Sequence, residues 1–252
     1  MRKIMFLFMV FIFLVKISFS LSLEYLGHSC FVLDINSKKI MIDPYSFELK
    51  YPFLLNYDFK NLDLVVSTHE HFDHYNELVF KICQKFNIPY FVGTKNDGND
   101  WNPIDYELSG IRIISVNTFH DKSNGKERGK NSAIIFRSGK LKIVHLGDLG
   151  HLLDKNQVDR LKNPDILFIP VGGFFTISSS EAISVINSLS PKIIVPMHYK
   201  TKFTQDLPIS KVDDFIKLLN TSYHVKFIKG RKVGINEGKI EKNTVFVFEG
   251  IK

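Results

Sequence analysis

The chain has 252 residues, of which 44% are hydrophobic and 23% charged, so it is long enough for one large globular domain and too apolar to be disordered. Its formal net charge is +7, and it falls to +4 without residues 1–20, which carry three basic residues and no acidic one. This mild positive charge does not indicate a nucleic-acid-binding protein. The two cysteines, Cys30 and Cys83, lie in an apolar strand and an amphipathic helix. We therefore expect buried free thiols, with a disulfide as the alternative.

Residues 1–20 have the pattern of a secretory signal peptide. Two basic residues precede an unbroken apolar run from Ile4 to Val15, and the small residues Ser18 and Ser20 offer a cleavage site. The apolar run of twelve residues is shorter than the roughly twenty that a transmembrane helix needs. We therefore expect an exported protein, periplasmic or extracellular, with a mature domain at residues 21–252. An uncleaved membrane anchor at residues 4–15 is the alternative.

Short strands dominate the first half of the mature chain. Apolar runs bounded by turn residues predict strands at residues 23–26, 30–35, 39–42, 62–66 and 90–92. Residues 45–61 are aromatic and irregular, which predicts a loop. Apolar residues at helical spacing predict the first helix at residues 75–86.

Strands and helices alternate in the second half. The predicted strands are 111–119, 132–137, 140–146, 165–170, 192–196, 225–228 and 244–248, and the predicted helices are 155–161, 179–189 and 210–219. Ser178 and Glu181 have the spacing of a capping box before the second of these helices. No linker or repeat divides the chain. The order of elements predicts one α/β (α+β) domain, a four-layer αββα sandwich of two mixed β-sheets with helices outside.

The segment that follows the strand at 62–66 is dense in potential metal ligands. Within six residues it contains His69, His71, Asp73 and His74. Neutral imidazole and carboxylate groups suit zinc and other first-row divalent ions. Because tight clusters of His and Asp usually mark metal or catalytic sites, we interpret the segment as a metal site rather than a polar loop that happens to be rich in histidine.

Three more potential ligands stand where predicted strands end: His120, Asp148 and His198. Taken singly, each has an ordinary interpretation as a surface residue or a turn. Their shared position changes this interpretation, because strand ends on one edge of a sheet converge in space and α/β proteins place their sites there. We therefore expect all three side chains at the same site as the histidine-rich segment.

The order of these motifs resembles the metallo-β-lactamase fold superfamily of metal-dependent hydrolases, and within it the branch that includes the ascorbate-phosphate lactonase. The resemblance covers nearly all of residues 22–250. The segments that carry it are 68–74, His120, 147–148 and His198 for the superfamily, and 27–29, 42–44, 170–173 and 191–198 for the branch.

The resemblance implies a cofactor of two divalent metal ions. One ion would be held by His69, His71 and His120, the other by Asp73, His74 and His198, with Asp148 bridging them. It further implies that a metal-held hydroxide is the nucleophile and that Asp73 orients it, so Asp73 and Asp148 are the candidate catalytic residues. Zinc is the expected metal, and manganese or iron are the alternatives because His and Asp ligands discriminate poorly between these ions.

Three residues are candidates for orienting the ligands from behind: His28, Asp43 and Thr68. Ligating imidazoles need a partner on their second nitrogen, and Asp43 is the best-placed carboxylate. A turn cap before Pro44 is the alternative for Asp43, and a satisfied turn residue is the alternative for His28. The remaining histidines, at positions 145, 151 and 224, are expected to be ordinary structural or surface residues.

These observations predict an exported hydrolase that cleaves an ester, lactone, amide or phosphoester of a small molecule, with no nucleic-acid partner. Basic loops after His120 and His198 favour an anionic substrate, although an ordinary solvated loop would have the same composition. Two other functions remain as alternatives. A nuclease of the same fold would usually carry an extra substrate-clamping domain, and the related di-iron oxidoreductases typically have glutamate at the position of His71. The sequence assigns neither the substrate-binding residues nor the oligomeric state.

Overall fold

The computed structural model describes residues 20–236 and 241–251 of the chain. Nearly all of the predicted signal peptide lies outside these residues. The strands are β1 (Leu21–Gly27), β2 (Cys30–Ile35), β3 (Lys38–Ile42), β4 (Leu64–Ser67), β5 (Tyr90–Val92), β6 (Thr94–Lys95), β7 (Asp100–Trp101), β8 (Asp105–Leu108), β9 (Ile111–Phe119), β10 (Lys130–Ser138), β11 (Leu141–His145), β12 (Ile166–Pro170), β13 (Ile193–Met197), β14 (His224–Ile228), β15 (Lys232–Ile235) and β16 (Thr244–Phe248). The α-helices are α1 (Glu77–Phe86), α2 (Lys155–Leu161), α3 (Ser179–Leu189) and α4 (Val212–Ile216).

Two large mixed sheets make up the described part of the chain. The first has the order β15-β1-β2-β3-β4-β5, antiparallel from β15 to β3 and parallel from β3 to β5. The second has the order β14-β16-β13-β12-β11-β10-β9-β8, parallel from β14 to β11 and antiparallel from β11 to β8. β6 and β7 form a small separate hairpin.

The two sheets share one hydrophobic core. Phe31 of β2 in the first sheet packs against Phe168 of β12 in the second, with ring centroids 4.4 Å apart, and Tyr25 of β1 packs against Phe248 of β16 at 5.6 Å. The helices lie outside, with α2 against β9 and α3 against β12. This arrangement confirms the predicted four-layer fold.

Local sequence signals account for most element boundaries. The capping box of Ser178 and Glu181 is present at the start of α3, and the Asn76 side chain caps α1 by accepting hydrogen bonds from the backbone of Leu78 and Val79. Helix α4 is shorter than the predicted helix at 210–219. The backbone N–H of Ser210 donates to Gly172 O, 2.7 Å away, and Lys211 forms a β-bridge with Lys200. The helix therefore begins only at Val212.

Cys30 and Cys83 are both buried free cysteines, as expected. Among residues 20–236 and 241–251, no helix is long and apolar enough to span a membrane.

Candidate metal centre

The site lies where β4, β9, β11 and β13 end, because each of these strands leads into a predicted ligand. The histidine-rich loop after β4 is closed by its own hydrogen bonds: the Ser67 hydroxyl donates to His74 O at 2.7 Å, and His74 N donates to His71 O at 2.9 Å. Glu70 turns away from the site and accepts a hydrogen bond from Gly98 N at 2.9 Å. The loop is therefore held in a shape in which alternate side chains face inward.

All seven predicted ligands are brought together in overlapping groups whose ligand atoms lie within 4.8 Å of one another. The groups are His69, His71 and His120; His28, Asp73, His74 and His198; and His69, His74 and Asp148. The first two groups match the two sets expected for two metal ions, with His28 added to the second. The third group links them through Asp148.

Asp148 occupies the centre of the cluster. One carboxylate oxygen lies 3.0 Å from His74 Nε2, and the other lies 3.1 Å from His120 Nε2 and 3.2 Å from His198 Nε2. The side chain thus reaches residues from both predicted metal sets. This is the position that a bridging ligand needs.

The atoms at the centre suit a metal ion. His74 Nε2, His198 Nε2 and Asp148 Oδ1 are buried and have no hydrogen-bond partner among the described residues, although His74 Nε2 and Asp148 Oδ1 are only 3.0 Å apart. Buried polar atoms are rarely left without partners in a native protein. Lone pairs that converge without hydrogen-bonding each other are expected where a divalent cation completes the site, and His and Asp donors fit such an ion.

Asp43 fixes the orientation of two ligands from behind. Its fully buried carboxylate accepts hydrogen bonds from Thr68 N (2.7 Å), Thr68 Oγ1 (2.9 Å) and His74 Nδ1 (2.7 Å). Thr68 Oγ1 in turn lies 3.0 Å from His69 Nδ1. The Nδ1 atom of His74 donates its proton to Asp43, so Nε2 is the atom that faces the centre. Burial acts to lower the pKa of His74, but the Asp148 and Asp43 carboxylates outweigh it and hold the pKa well above its usual range, so Nε2 must lose a proton when a metal binds.

The sequence predicts that His28 orients a ligand from behind, but the structure places it among the ligands themselves, in one group with Asp73 and His198. Its Nε2 is 3.0 Å from Asp73 Oδ2, and its Nδ1 has no hydrogen-bond partner among residues 20–236 and 241–251. Burial, together with nearby His198, lowers the pKa of His28 to about 4, so the ring is neutral at pH 7. The single ring proton is therefore best placed on Nε2, where it donates to the Asp73 carboxylate.

Burial sets the pKa of two of the remaining predicted ligands, and neighbouring opposite charges set the pKa of the others. Burial lowers the pKa of His69 and of His71, which keeps both rings neutral. Burial also acts to lower the pKa of His198, but the neighbouring Asp148 carboxylate outweighs it and raises the pKa to about 9. For Asp148, burial acts to raise the pKa, and the surrounding histidines, His198 first, hold it well below its usual range. His74 and the other nearby histidines likewise outweigh burial and lower the pKa of the partly buried Asp73, so both inward-facing carboxylates, Asp73 and Asp148, attract cations.

The backbone before Asp148 is positioned by Asn131, which the sequence did not single out, and by Gly147 of the predicted 147–148 motif. Asn131 on β10 accepts a hydrogen bond from Asp148 N at 3.1 Å and donates to Leu146 O at 2.8 Å. Gly147 has φ +55°, and a side chain there would press against Thr68 Cβ at 2.8 Å. Only glycine satisfies both conditions without strain.

A cavity of about 360 Å³ opens onto the cluster. Besides His28 and five of the seven ligands, its lining residues are Leu49, Phe72, Glu127, Arg128, Phe175 and Leu207. Leu49, Glu127 and Leu207 carry no functional signal in the sequence, whereas Arg128 belongs to one of the basic loops. The position of Phe72 between two inward-facing ligands indicates that its side chain does not point into the cluster. The side chain is 52% exposed and lines the cavity outside the cluster.

The three histidines expected to be ordinary lie apart from the metal groups. His145 is buried, with Nε2 3.0 Å from Ser29 O and Nδ1 accepting from Gly147 N, so both ring nitrogens are used by backbone groups. His151 likewise accepts from Phe119 N at 3.1 Å. His224 lies exposed on β14.

Two facing mixed sheets with a cluster of His and Asp side chains at the strand ends are the arrangement expected of a metal-dependent hydrolase. The comparisons with known proteins agree: residues 22–198 match the family description of a β-lactamase superfamily domain. The chain belongs to the metallo-β-lactamase superfamily and is a metal-dependent hydrolase of that superfamily.

Several relatives support this assignment. A metal-dependent hydrolase of the UPF0173 group from Pyrococcus abyssi is 32% identical over 190 residues, covering 71% of this chain and 84% of the relative. A crystal structure of a candidate zinc-dependent hydrolase of the metallo-β-lactamase superfamily from Thermotoga maritima is 30% identical, with a TM-score of 0.66, and the match covers 90% of this chain and 98% of that one. The metallo-hydrolase Igni18 from Ignicoccus hospitalis, at 22% identity and a TM-score of 0.64 over 86% of this chain and 98% of its own, shares the fold.

Proposed function

We propose that the protein is an exported hydrolase with two metal ions that cleaves an ester, lactone, amide or phosphoester bond in a small molecule. The observation that carries the proposal is the position of Asp148, whose two oxygens lie within 3.2 Å of His74, His120 and His198, residues of both predicted metal sets. A single ion would leave one of these sets without a function.

Each of the two proposed metal ions would be held by its own set of residues. His69, His71 and His120 would hold one ion, Asp73, His74 and His198 the other, and Asp148 both. Two bound divalent ions supply a nucleophile by lowering the pKa of water and stabilise negative charge on the reacting oxygen. We propose zinc, which the donor set suits and which appears in the description of the Thermotoga maritima relative.

Asp73 and His28 are placed to handle a proton. The neutral His28 ring lies 3.0 Å from Asp73 Oδ2, and Asp73 also lies 3.8 Å from His198 Nε2. Asp73 would orient the attacking group and receive its proton, and His28 would hold the Asp73 carboxylate in the required position. The 360 Å³ cavity has the size of a small-molecule pocket, which favours a small substrate over a nucleic acid.

Metal analysis followed by a substrate screen tests the proposal. Protein lacking residues 1–20 should contain two equivalents of metal by mass spectrometry. It should hydrolyse at least one of four probes: bis(4-nitrophenyl) phosphate, 4-nitrophenyl phosphate, a γ-lactone or the lactam nitrocefin. A chelator should abolish the activity, and added zinc should restore it. One equivalent of metal would contradict the two-ion site, and iron with redox activity instead of hydrolysis would favour the oxidoreductase alternative.

Export is tested separately. Residues 1–20 fused to alkaline phosphatase should give an active, periplasmic reporter, because that enzyme needs the disulfide-permitting compartment. The full-length protein, expressed in a bacterial host, should lose about twenty residues by mass. An inactive reporter and an intact N-terminus in the cytoplasmic fraction would contradict the proposal.

A further inference from the structure

We propose that Arg128 and Phe175 form a binding subsite for an oxyanion attached to an apolar group, so that the substrate is an anionic amphiphilic small molecule. The inference rests on the proposed function, since it concerns the same cavity. It extends that function by assigning the part of the substrate that does not react.

Arg128 stands at the boundary between two cavities. It lines the 360 Å³ cavity that contains the ligands and also a neighbouring cavity of about 330 Å³. Phe175 lines both as well, and its ring lies under the Arg128 guanidinium, 5.7 Å from centre to centroid. A guanidinium stacked on an aromatic face keeps its N–H edge available for a planar oxyanion.

Arg128 is the one lysine or arginine of these two cavities, within the described part of the chain, that has no close ion pair. The other, Lys122, lies 2.6 Å from Glu181. Glu127 Oε2 lies 3.8 Å from Arg128, beyond hydrogen-bond distance, while Glu127 Oε1 accepts from the Ser123 hydroxyl at 2.6 Å. The Arg128 side chain is 33% exposed, so its charge is partly desolvated and still reachable by a ligand.

The loop that presents Arg128 is rigidly attached to the metal centre. The Asp121 carboxylate, next in sequence to His120, accepts hydrogen bonds from the backbone N–H groups of residues 123, 125, 127 and 128 at 2.7–3.0 Å. His120 N in turn donates to Gly129 O at 3.1 Å. The backbone at Arg128 is therefore held at a fixed place beside the cluster, and the Phe175 ring limits where the guanidinium can lie. Such preorganisation strengthens binding.

The apolar part of the substrate is inferred from the apolar side chains of the cavity. Leu49, Phe72 and Leu207 line the ligand-containing cavity with Phe175. Phe72 projects from the ligand loop itself, and that loop is tied to the 45–54 segment, since Ser46 N donates to Phe72 O at 2.6 Å. Because the same cavity is also lined by five of the predicted metal ligands, a substrate that contacts both these apolar residues and Arg128 would lie beside the His/Asp cluster.

The test measures binding, so its outcome does not depend on turnover. Zinc-loaded wild-type protein should bind 4-phenylbutyrate and 2-phenylethyl phosphate, as measured by calorimetry, and should bind neutral 4-phenylbutyramide more weakly. Arg128→Gln should weaken both anions about tenfold or more, the effect expected for loss of a charge-assisted, two-point contact. The control Lys126→Gln removes the same charge from an exposed position in the same loop and should leave both affinities unchanged.

The outcomes separate the two proposals. Weaker binding of either anion by Arg128→Gln alone supports the subsite, and the larger of the two losses identifies a carboxylate or a phosphate as the natural group. Equal losses in Arg128→Gln and Lys126→Gln, or no loss in either, would overturn it. If no probe is hydrolysed in the separate activity screen but Arg128 controls anion binding, the proposed function fails while the subsite stands.

Discussion

The Asp43→Asn variant tests how the protein orients its ligands. The Asp43 carboxylate accepts three hydrogen bonds, two from Thr68 and one from His74 Nδ1. An asparagine has nearly the same shape and tolerates the φ of +48° found at this position, so the backbone is not strained. The amide has one acceptor and one donor group, however, and whichever way it turns, a donor must face a donor.

The cost follows from that mismatch. A buried, charge-assisted hydrogen bond lost in this way costs about 2 kcal/mol, which lowers the melting temperature of a domain of this size by about 4–8 °C. If the amide NH₂ faces His74 Nδ1, the ring must move its proton to Nε2, the atom that faces Asp148 at 3.0 Å. The lone pair needed for the metal is then blocked. We expect the zinc affinity to fall about 10- to 100-fold.

Chelator competition measures the zinc affinity, and thermal unfolding of the metal-free protein measures stability. Asp165→Asn is the matched control, since Asp165 is also mostly buried and accepts from Lys142 N (2.8 Å) and Lys192 Nζ (2.6 Å), but lies just before β12, at the opposite end from the site. The control should lose stability and keep its zinc affinity. If Asp43→Asn binds zinc as tightly as the wild type, or if both variants lose affinity equally, the orienting role of Asp43 is wrong.

Three further changes probe the site. His120→Ala should leave one equivalent of metal instead of two by mass spectrometry and abolish turnover while the chain remains folded by circular dichroism; two retained ions would contradict the assigned set. Because neighbouring carboxylates raise the pKa of His198 to about 9 and also raise that of His74, protons must leave both rings before a metal binds. Zinc affinity should therefore rise by up to about tenfold per pH unit for each proton released between about pH 7 and 9, and a flat profile in chelator titrations would refute this. The pKa of Asp121 is lowered because its four backbone hydrogen bonds outweigh burial, so Asp121→Asn should cost about 2–3 kcal/mol in denaturant unfolding and speed amide exchange in the 121–129 loop. The exposed control Asp105→Asn, which loses only a surface pair with an arginine, should cost less than about 1 kcal/mol, and equal costs would contradict the argument.

The ligand positions were predictable from sequence because each follows a strong local signal. His69, His120, Asp148 and His198 stand directly after or close to the end of an apolar strand, and consecutive strand ends meet at one edge of a sheet. The same holds for Asp43 after β3. Whether these residues bind metal stays a prediction, but their convergence in space is what the pattern indicated.

Edge strands gave no comparable signal. In β8 exposed residues alternate with half-buried ones, and in β15 only Ile235 is buried. Neither strand therefore has the apolar run that marks a buried strand in the sequence. Their pairing depends on the neighbouring strands β9 and β1 rather than on their own composition. The cavity lining was hidden for a related reason: Leu49, Phe175 and Leu207 come from loops far apart in sequence, and only the tertiary fold brings them to one wall.

The loop after His120 explains why the ligand set and the substrate are separate problems. The loop is held by contacts that do not use the side chains at positions 126–128: His120 N donates to Gly129 O, and the Asp121 carboxylate accepts from backbone N–H groups only. Positions 126–128 can therefore change without moving His120. A loop built this way can hold a candidate ligand in place while other positions vary, which is one physical reason why a fold alone does not specify a substrate. In this chain one of these positions holds Arg128, which lines the cavity that opens onto the His/Asp cluster.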